Sequence, residues 1–359
     1  MIKTECISKE WIEAIAKSTK ASDKILVEKV VRALMLLEGL AKSDLNFIFK
    51  GGTALMLLFY SGKRLSIDID IIVPDKDVKF DSILEKVCKD YGFTKFEEQP
   101  RKVNTQIDKV HYKLFFQSVI EEKESYVLLD ILKEQIHYQN IIEVPIDSQF
   151  IELDGTAVSV RIPDFNNILG DKLTAFAPNT TGIPYKKGDK EMGMEIIKQM
   201  YDIGCLCDHA DNPEIISSVF SSFADTEIQY RGNVCTASDV LDDIIDNSLE
   251  ICLRGNHGKA DFVILSKGIV QVKGFIYSEA FHLEKAITYA AKAAYVAAVI
   301  KYRQKEIKKY DAEKVLEMKD WLIKEPINNK LNKLKKSNPE AFFYLYQLSE
   351  IVSNVSDEK

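Results

Sequence analysis

The chain has 359 residues, 46% of them apolar and 29% charged, a globular composition that excludes fibrous and intrinsically disordered classes and suggests about two domains. Its net charge of -7 excludes coating of a polyanion by the whole surface and leaves any nucleic-acid contact to a local basic face. Charges are scattered through the N-terminal "MIKTECISKEWIEAIAKSTK", no segment reaches the ~18 apolar residues of a membrane span, and six cysteines are irregularly spaced, so the expectation is a cytoplasmic chain with reduced thiols and no membrane association.

Residues 1–45 carry apolar side chains at helical spacing (Ile25, Val30, Leu34, Leu37) and read as helices packing on the next domain. From residue 46 the pattern changes: "NFIFKGG" reads as a short strand ending in glycines, "TALMLLFYSG" as a helix and "LSIDIDIIVP" as a strand stopped by Pro74. A helix is expected near "KFDSILEKVCKDYGF", then a hairpin formed by "KVHYKLFFQS" and "SYVLLDILKE". "IIEVPI" and "AVSVRIP" are further strands, and Pro163 closes a mixed α/β domain over 46–163. "DFNNILGDKLTAFA" opens a helical domain over 164–359, with an exposed loop at 178–190 and helices almost throughout from Met192, including "SEAFHLEKAITYAAKAAYVAAVIKYRQKEIKKY". The cleft between the two domains is the expected site.

The stretch "FKGGTALMLLFYSGKRLSIDIDIIV", residues 49–73, carries the chemistry. Residues two apart in a strand share a face, so Asp68 and Asp70 project together while Ile67, Ile69 and Ile71 face the other way. Such a pair holds a divalent cation between its carboxylates, or else forms the wet face of an edge strand. Gly51, Gly52 and Thr53 at the preceding helix start tilt the balance, because glycines admit close backbone approach and a helix N-terminus favours phosphate.

Strand, G-G-[ST], helix and D-x-D in that order resemble the nucleotidyltransferase superfamily typified by DNA polymerase beta. The fuller wording, "KGGTAL" and then R-x-S-x-D-I-D with Arg64 and Ser66, is similar to its AbiEii/AbiGii-type toxin family. The resemblance spans roughly residues 47–206. It implies an α/β nucleotidyltransferase fold with a helical C-terminal domain. The triphosphate of an NTP would lie on Gly51, Gly52, Thr53, Arg64, Ser66 and Lys172, and Mg²⁺ or Mn²⁺ on Asp68, Asp70 and a third carboxylate. Asp130 in "YVLLDILKE" fits that third place, with Asp108 as competitor. "LGDKLTAFA" matches the family's lysine helix through Lys172, and "IIKQMYDIGCL" matches its R-D-x-x-D-L element through Asp202, departing from it at Lys198 and Gln199.

Beyond the chemistry, the resemblance implies the toxin of a toxin–antitoxin or phage-defence system, transferring NMP to RNA, the tRNA 3′ end in particular, and neutralised by a separate antitoxin protein. A small-molecule transferase of the aminoglycoside-modifying type and a nucleotide-binding module without transfer activity are the alternatives. Cys205, Cys207 and His209 lack zinc-ligand spacing, and no cysteine lies in an activating motif. The basic clusters Lys301, Arg303, Lys305, Lys308, Lys309 and Lys330, Lys333, Lys335, Lys336 read either as RNA-backbone contacts or as solvated faces, and "YKKGDK" is a third such candidate.

Overall fold

Helical spacing and local capping build the N-terminal part. Lys9–Ser18 (α1) starts at Ser8, whose hydroxyl accepts from Trp11 N at 3.2 Å, and Lys24–Ala41 (α2) starts at Asp23, whose carboxylate accepts from Ile25 N and Leu26 N. In the computed structural model, which describes residues 1–19, 23–59, 62–99 and 109–357, these helices belong to a first unit of residues 1–164 and 274–280. A second unit comprises residues 165–273 and 281–359.

The first unit is a mixed α/β layer structure. Its elements run Ile48–Lys50 (β1), Gly51–Leu58 (α3), Asp68–Ile72 (β2), Phe80–Tyr91 (α4), Lys95–Glu98 (β3), Lys109–Gln117 (β4) and Glu124–Leu132 (β5). Among the described residues the strands form one five-stranded sheet in the order β1-β2-β5-β4-β3. β2 and β5 are parallel and every other pair is antiparallel. Ile69 and Ile71 are fully buried on one face, and α2 packs against β2, β5 and α4. Strand β3 has no signature in the sequence: it is an edge strand whose Lys95, Glu97 and Glu98 are exposed, so burial imposes no alternation on it. Ile141–Pro145 (β6) and Ser159–Pro163 (β7) pair as a separate two-stranded sheet.

The second unit is helical. Phe165–Ala175 (α5) leads through a small hairpin of Lys186–Lys187 (β8) and Lys190–Glu191 (β9) to Gly193–Cys207 (α6), Pro213–Tyr230 (α7), Ala237–Cys252 (α8) and Phe262–Gln271 (α9). Leu283–Lys301 (α10), Leu334–Ser337 (α11) and Pro339–Asp357 (α12) come next. The alanine-rich α10 is buried from Ala290 to Ile300 and packs against α6, α8 and α12; small side chains let those helices approach on several sides at once. Among the described residues no helix is long and apolar enough to cross a membrane.

Two expectations for this unit change. The segment 178–190 is anchored at its base: Thr181 is buried, Asn179 and Thr180 bond the Asp243 carboxylate, and the Tyr185 hydroxyl bonds Asn247, leaving the tip around Lys186–Lys187 exposed. Burial holds the Asp243 carboxyl above its usual range and pushes the Tyr185 phenol up to about 12. Helix α10 stops at Lys301, where Arg303 takes a left-handed φ of 52° and the N–H of Gln304 returns to Val299 O at 2.9 Å. The basic run beyond it is therefore not a helix face. Lys309 donates to the carbonyls of Cys207 and Ala210 at the end of α6, Lys301 pairs with Asp242, and Lys335 donates to the carbonyls of Lys319 and Trp321. These three lysines fasten the fold.

One buried charge ties α2 to the sheet. Glu28, 1% exposed, accepts from Ser118 Oγ at 2.6 Å and Val119 N at 2.8 Å at the β4–β5 turn, and it is the nearby counter-charge of the buried Arg32 guanidinium, which lies over Phe116. Glu28→Ala would strand both donors and the cation, so a loss of about 3 kcal/mol is expected. Urea denaturation should show it; a loss under about 1 kcal/mol would mean that the turn is held by other contacts.

Candidate active site

Strand register assembles the site. Lys50 on β1 is the partner of Asp70 on β2, Asp70 lies beside Asp130 on β5, and Asp130 faces His111 on β4. Partners in neighbouring strands share a face, so Lys50, Asp70, Asp130 and His111 form one row across four strands about 4.8 Å apart. Asp68 stands on the same face two residues before Asp70. Side-by-side carboxylates repel, and the row ends in a lysine on one side and a histidine on the other. His111 Nδ1 bonds Asp130 Oδ1. Lys50 also lies over the ring of the buried Tyr138.

The glycines fit closely against this row. Gly51 has a left-handed φ of 80°, and a Cβ there would sit 2.0 Å from Asp70 Oδ2. At Gly52 a Cβ would sit 2.6 Å from Ser66 Oγ and 2.7 Å from Arg64 Nη2. The start of α3 therefore passes over the Asp70 carboxylate, the Ser66 hydroxyl and the Arg64 guanidinium at distances only glycine permits. Lys50, the residue capping α3, gives it no side-chain cap. Thr53 is fully buried and donates its hydroxyl to the Asp68 carbonyl at 2.6 Å, so it locks α3 to β2. Arg64 is itself buried and donates to the Leu65 carbonyl.

The returning segment 274–280 pins this loop: Leu65 N donates to Phe275 O at 2.7 Å, and Arg64 bridges to Ile276. Tyr277 accepts from Gln149 Nε2 at 3.0 Å, and burial pushes its phenol up to about 12.

In the second unit, Lys172 on α5 meets α6. Its Nζ lies 2.9 Å from Asp202 Oδ2 and 2.8 Å from Gln199 Oε1, with both charged side chains at least nine-tenths buried. Gln199, where the sequence pattern departs from the expected acid, thus completes the lysine's shell, while Lys198 pairs with Glu195 at 3.3 Å. Cys205 and Cys207 are core residues of α6, and His209 stacks on Phe165.

Asp108 lies outside the described residues. Among those described, no group of three or more His, Cys, Asp or Glu side chains is placed to hold a metal ion by itself. The donors nevertheless suit Mg²⁺ or Mn²⁺: hard carboxylate oxygens of Asp68, Asp70 and Asp130 on one face, with Gly51 leaving the space at Asp70 that any Cβ would fill. Mg²⁺ takes only one or two carboxylates and completes its shell with water and phosphate oxygens, which fits an open set. Sequence reasoning missed Lys50, His111 and segment 274–280, and it named Gln199 only as a departure from the family element. Only His111 had a signal, since pairing the hairpin strands symmetrically about their turn sets it opposite Asp130.

Two outcomes are expected from this geometry. Gly51→Ala should lower stability by about 3 kcal/mol or more, through left-handed strain and collision with Asp70. Gly155→Ala, also left-handed but with nothing within 4 Å of the new Cβ, should cost only about 1–2 kcal/mol. Equal thermal shifts would show that the contact with Asp70 is dispensable. In the second unit, Asp202→Asn should cost about 3–5 kcal/mol by stranding a buried ammonium, and Lys172→Met with Asp202→Leu should recover most of it. Denaturation of the single and double variants tests this, and a double variant no better than the single would refute it.

The model of a protein family described as the nucleotidyl transferase AbiEii toxin of type IV toxin–antitoxin systems matches residues 35–262. Comparison with curated proteins finds no match. Among solved structures, JHP933 from Helicobacter pylori is 16% identical, with 77% of this chain and 90% of that one covered and a TM-score of 0.41. A second H. pylori protein, provisionally described as a nucleotidyltransferase, is 17% identical, with 77% and 94% covered and a TM-score of 0.40. The family match spans well over half of the chain and takes in the acid row, the glycine turn and the Lys172–Asp202 pair: the chain belongs to the AbiEii nucleotidyl transferase toxin family.

Proposed function

We propose that this toxin-family nucleotidyltransferase moves NMP from an NTP to an RNA acceptor, the 3′ end of tRNA, in a reaction that depends on Mg²⁺ or Mn²⁺. The observation that carries the reading is the acid row itself: Asp68, Asp70 and Asp130 on one sheet face, directly beside a glycine-lined helix start. Carboxylates side by side on neighbouring strands repel, and a divalent cation between them relieves that repulsion.

In this scheme the backbone of Gly51 and Gly52, with Arg64 and Ser66, holds the triphosphate, because helix-start N–H groups and a guanidinium both favour phosphate oxygens. Thr53 contributes by fixing α3 against β2. Lys172, to which the family resemblance gives a phosphate role, is kept in place by Asp202 and Gln199. Asp68 and Asp70, with Asp130, would hold the cation, which when bound would supply charge neutralisation on the phosphates.

The acceptor hydroxyl oxygen forms a bond to the α-phosphorus while the bond from phosphorus to the pyrophosphate oxygen breaks, and the hydroxyl proton passes to a carboxylate. Asp130 suits that role better than Asp202: its side chain is 35% exposed, whereas that of Asp202 is 4% exposed and engaged by Lys172. The antitoxin would be a separate protein, and the setting we propose is cytoplasmic, in phage defence.

The test is incubation of the full chain with each labelled NTP, Mg²⁺ and total tRNA, beside Asp68→Ala with Asp70→Ala. Label on tRNA, reduced by about a thousandfold or more in the double variant, is the expected result. Label that stays with a small molecule would replace the RNA acceptor with an aminoglycoside-type one. Nucleotide binding without transfer to any acceptor would leave a binding module.

A further inference from the structure

His111 occupies the β4 end of the acid row. Its ring is largely buried, with 15% of the side chain exposed, and Nδ1 contacts Asp130 Oδ1. Nδ1 is thus the ring nitrogen placed to donate to the Asp130 carboxylate. The other ring nitrogen, Nε2, is buried and has no hydrogen-bond partner among the described residues. Leaving that nitrogen unsatisfied is a penalty that a threonine or valine at the same strand position would avoid. What the histidine provides in return is control of Asp130: one oxygen is tied to the ring, the side chain is fixed within the row, and Oδ2 is the oxygen left outside that contact.

That restriction has a chemical consequence. Mg²⁺ and Mn²⁺ favour octahedral shells in which a carboxylate gives one oxygen, whereas Ca²⁺ accepts both oxygens of one carboxylate in a looser shell. We propose that His111 is a positioning residue that holds Asp130 to one-oxygen ligation, setting both the affinity of the acid row for a divalent cation and its preference for small cations over Ca²⁺. The inference rests on the acid row being a cation site, as in the proposed function.

The experiment is titration of the full chain with Mn²⁺, free ion being monitored by its electron paramagnetic resonance signal, with Mg²⁺ and Ca²⁺ as competitors. His111→Phe keeps a ring and removes the donor; His111→Asn keeps a donor near the Nδ1 position; Asp70→Asn removes a ligand. His111→Phe should weaken Mn²⁺ binding about 10-fold or more and make Ca²⁺ a relatively better competitor, while His111→Asn stays within roughly threefold of the parent, the range expected of an outer partner to a ligand. Should His111→Phe fail to fold by circular dichroism, His111→Leu takes its place. Parent-like affinity and Ca²⁺ competition in the donorless variant would overturn the proposal, and so would equal weakening in the phenylalanine and asparagine variants, which would mean packing alone. If the parent chain binds no Mn²⁺, or binds it unchanged in Asp70→Asn, the acid row is not a cation site and both readings fall together; normal parent binding lost in Asp70→Asn isolates any failure to His111.

Discussion

Two carboxylates side by side on neighbouring parallel strands set the terms for the first unit. Asp70 and Asp130 are register partners in the middle of the sheet, where like charges destabilise the pairing and cannot be relieved by a one-residue slip, because a slip would turn Ile69 and Ile71 out of the core. The apolar face therefore enforces the polar one. Full burial of the two isoleucines holds the acids in register, and Lys50 and His111 at the ends of the row give each acid an opposite or donating neighbour.

The same constraint explains the glycines and the long return of the chain. A helix start that must cross over a carboxylate, a hydroxyl and a guanidinium has no room for Cβ atoms at two successive positions. Arg64 and Ser66 can occupy that space only if their loop is fixed, and residues 274–280 fix it by hydrogen bonding along Leu65. Backbone carries the precision here: a turn, a bridge and a strand register, all of which resist rotation more firmly than flexible side chains do.

Much of this arrangement is legible in the sequence, and the reason differs by element. Strand β2 and helix α3 are readable because burial on one face imposes alternation and the glycine pair marks the junction. The hairpin of β4 and β5 is readable for the same reason, and its symmetry contains the His111–Asp130 pairing as an unread consequence. Strand β3 is not legible because it is an exposed edge. Nor is the end of α10, since the apolar and basic pattern continues past Lys301 while the backbone turns at Arg303. Segment 274–280 is beyond any local signal, as it depends on contact with Arg64 and Leu65, remote from it in the chain.

The Lys172–Asp202 pair shows why residue type alone underdetermines role. A lysine and an aspartate at family spacing suggest a phosphate ligand and a general base, two groups acting outward. In the structure they face each other across 2.9 Å, both at least nine-tenths buried, and Gln199 supplies the second oxygen. Burying an ion pair is costly unless the remaining hydrogen-bonding capacity is satisfied, and a neutral amide does that without adding a second negative charge beside Asp202. Had an acid stood at position 199, two carboxylates would share one ammonium. Glutamine therefore gives the ammonium a neutral acceptor beside the Asp202 carboxylate. A lysine held so is a fixed positive charge, its ammonium placed by two acceptors of one helix.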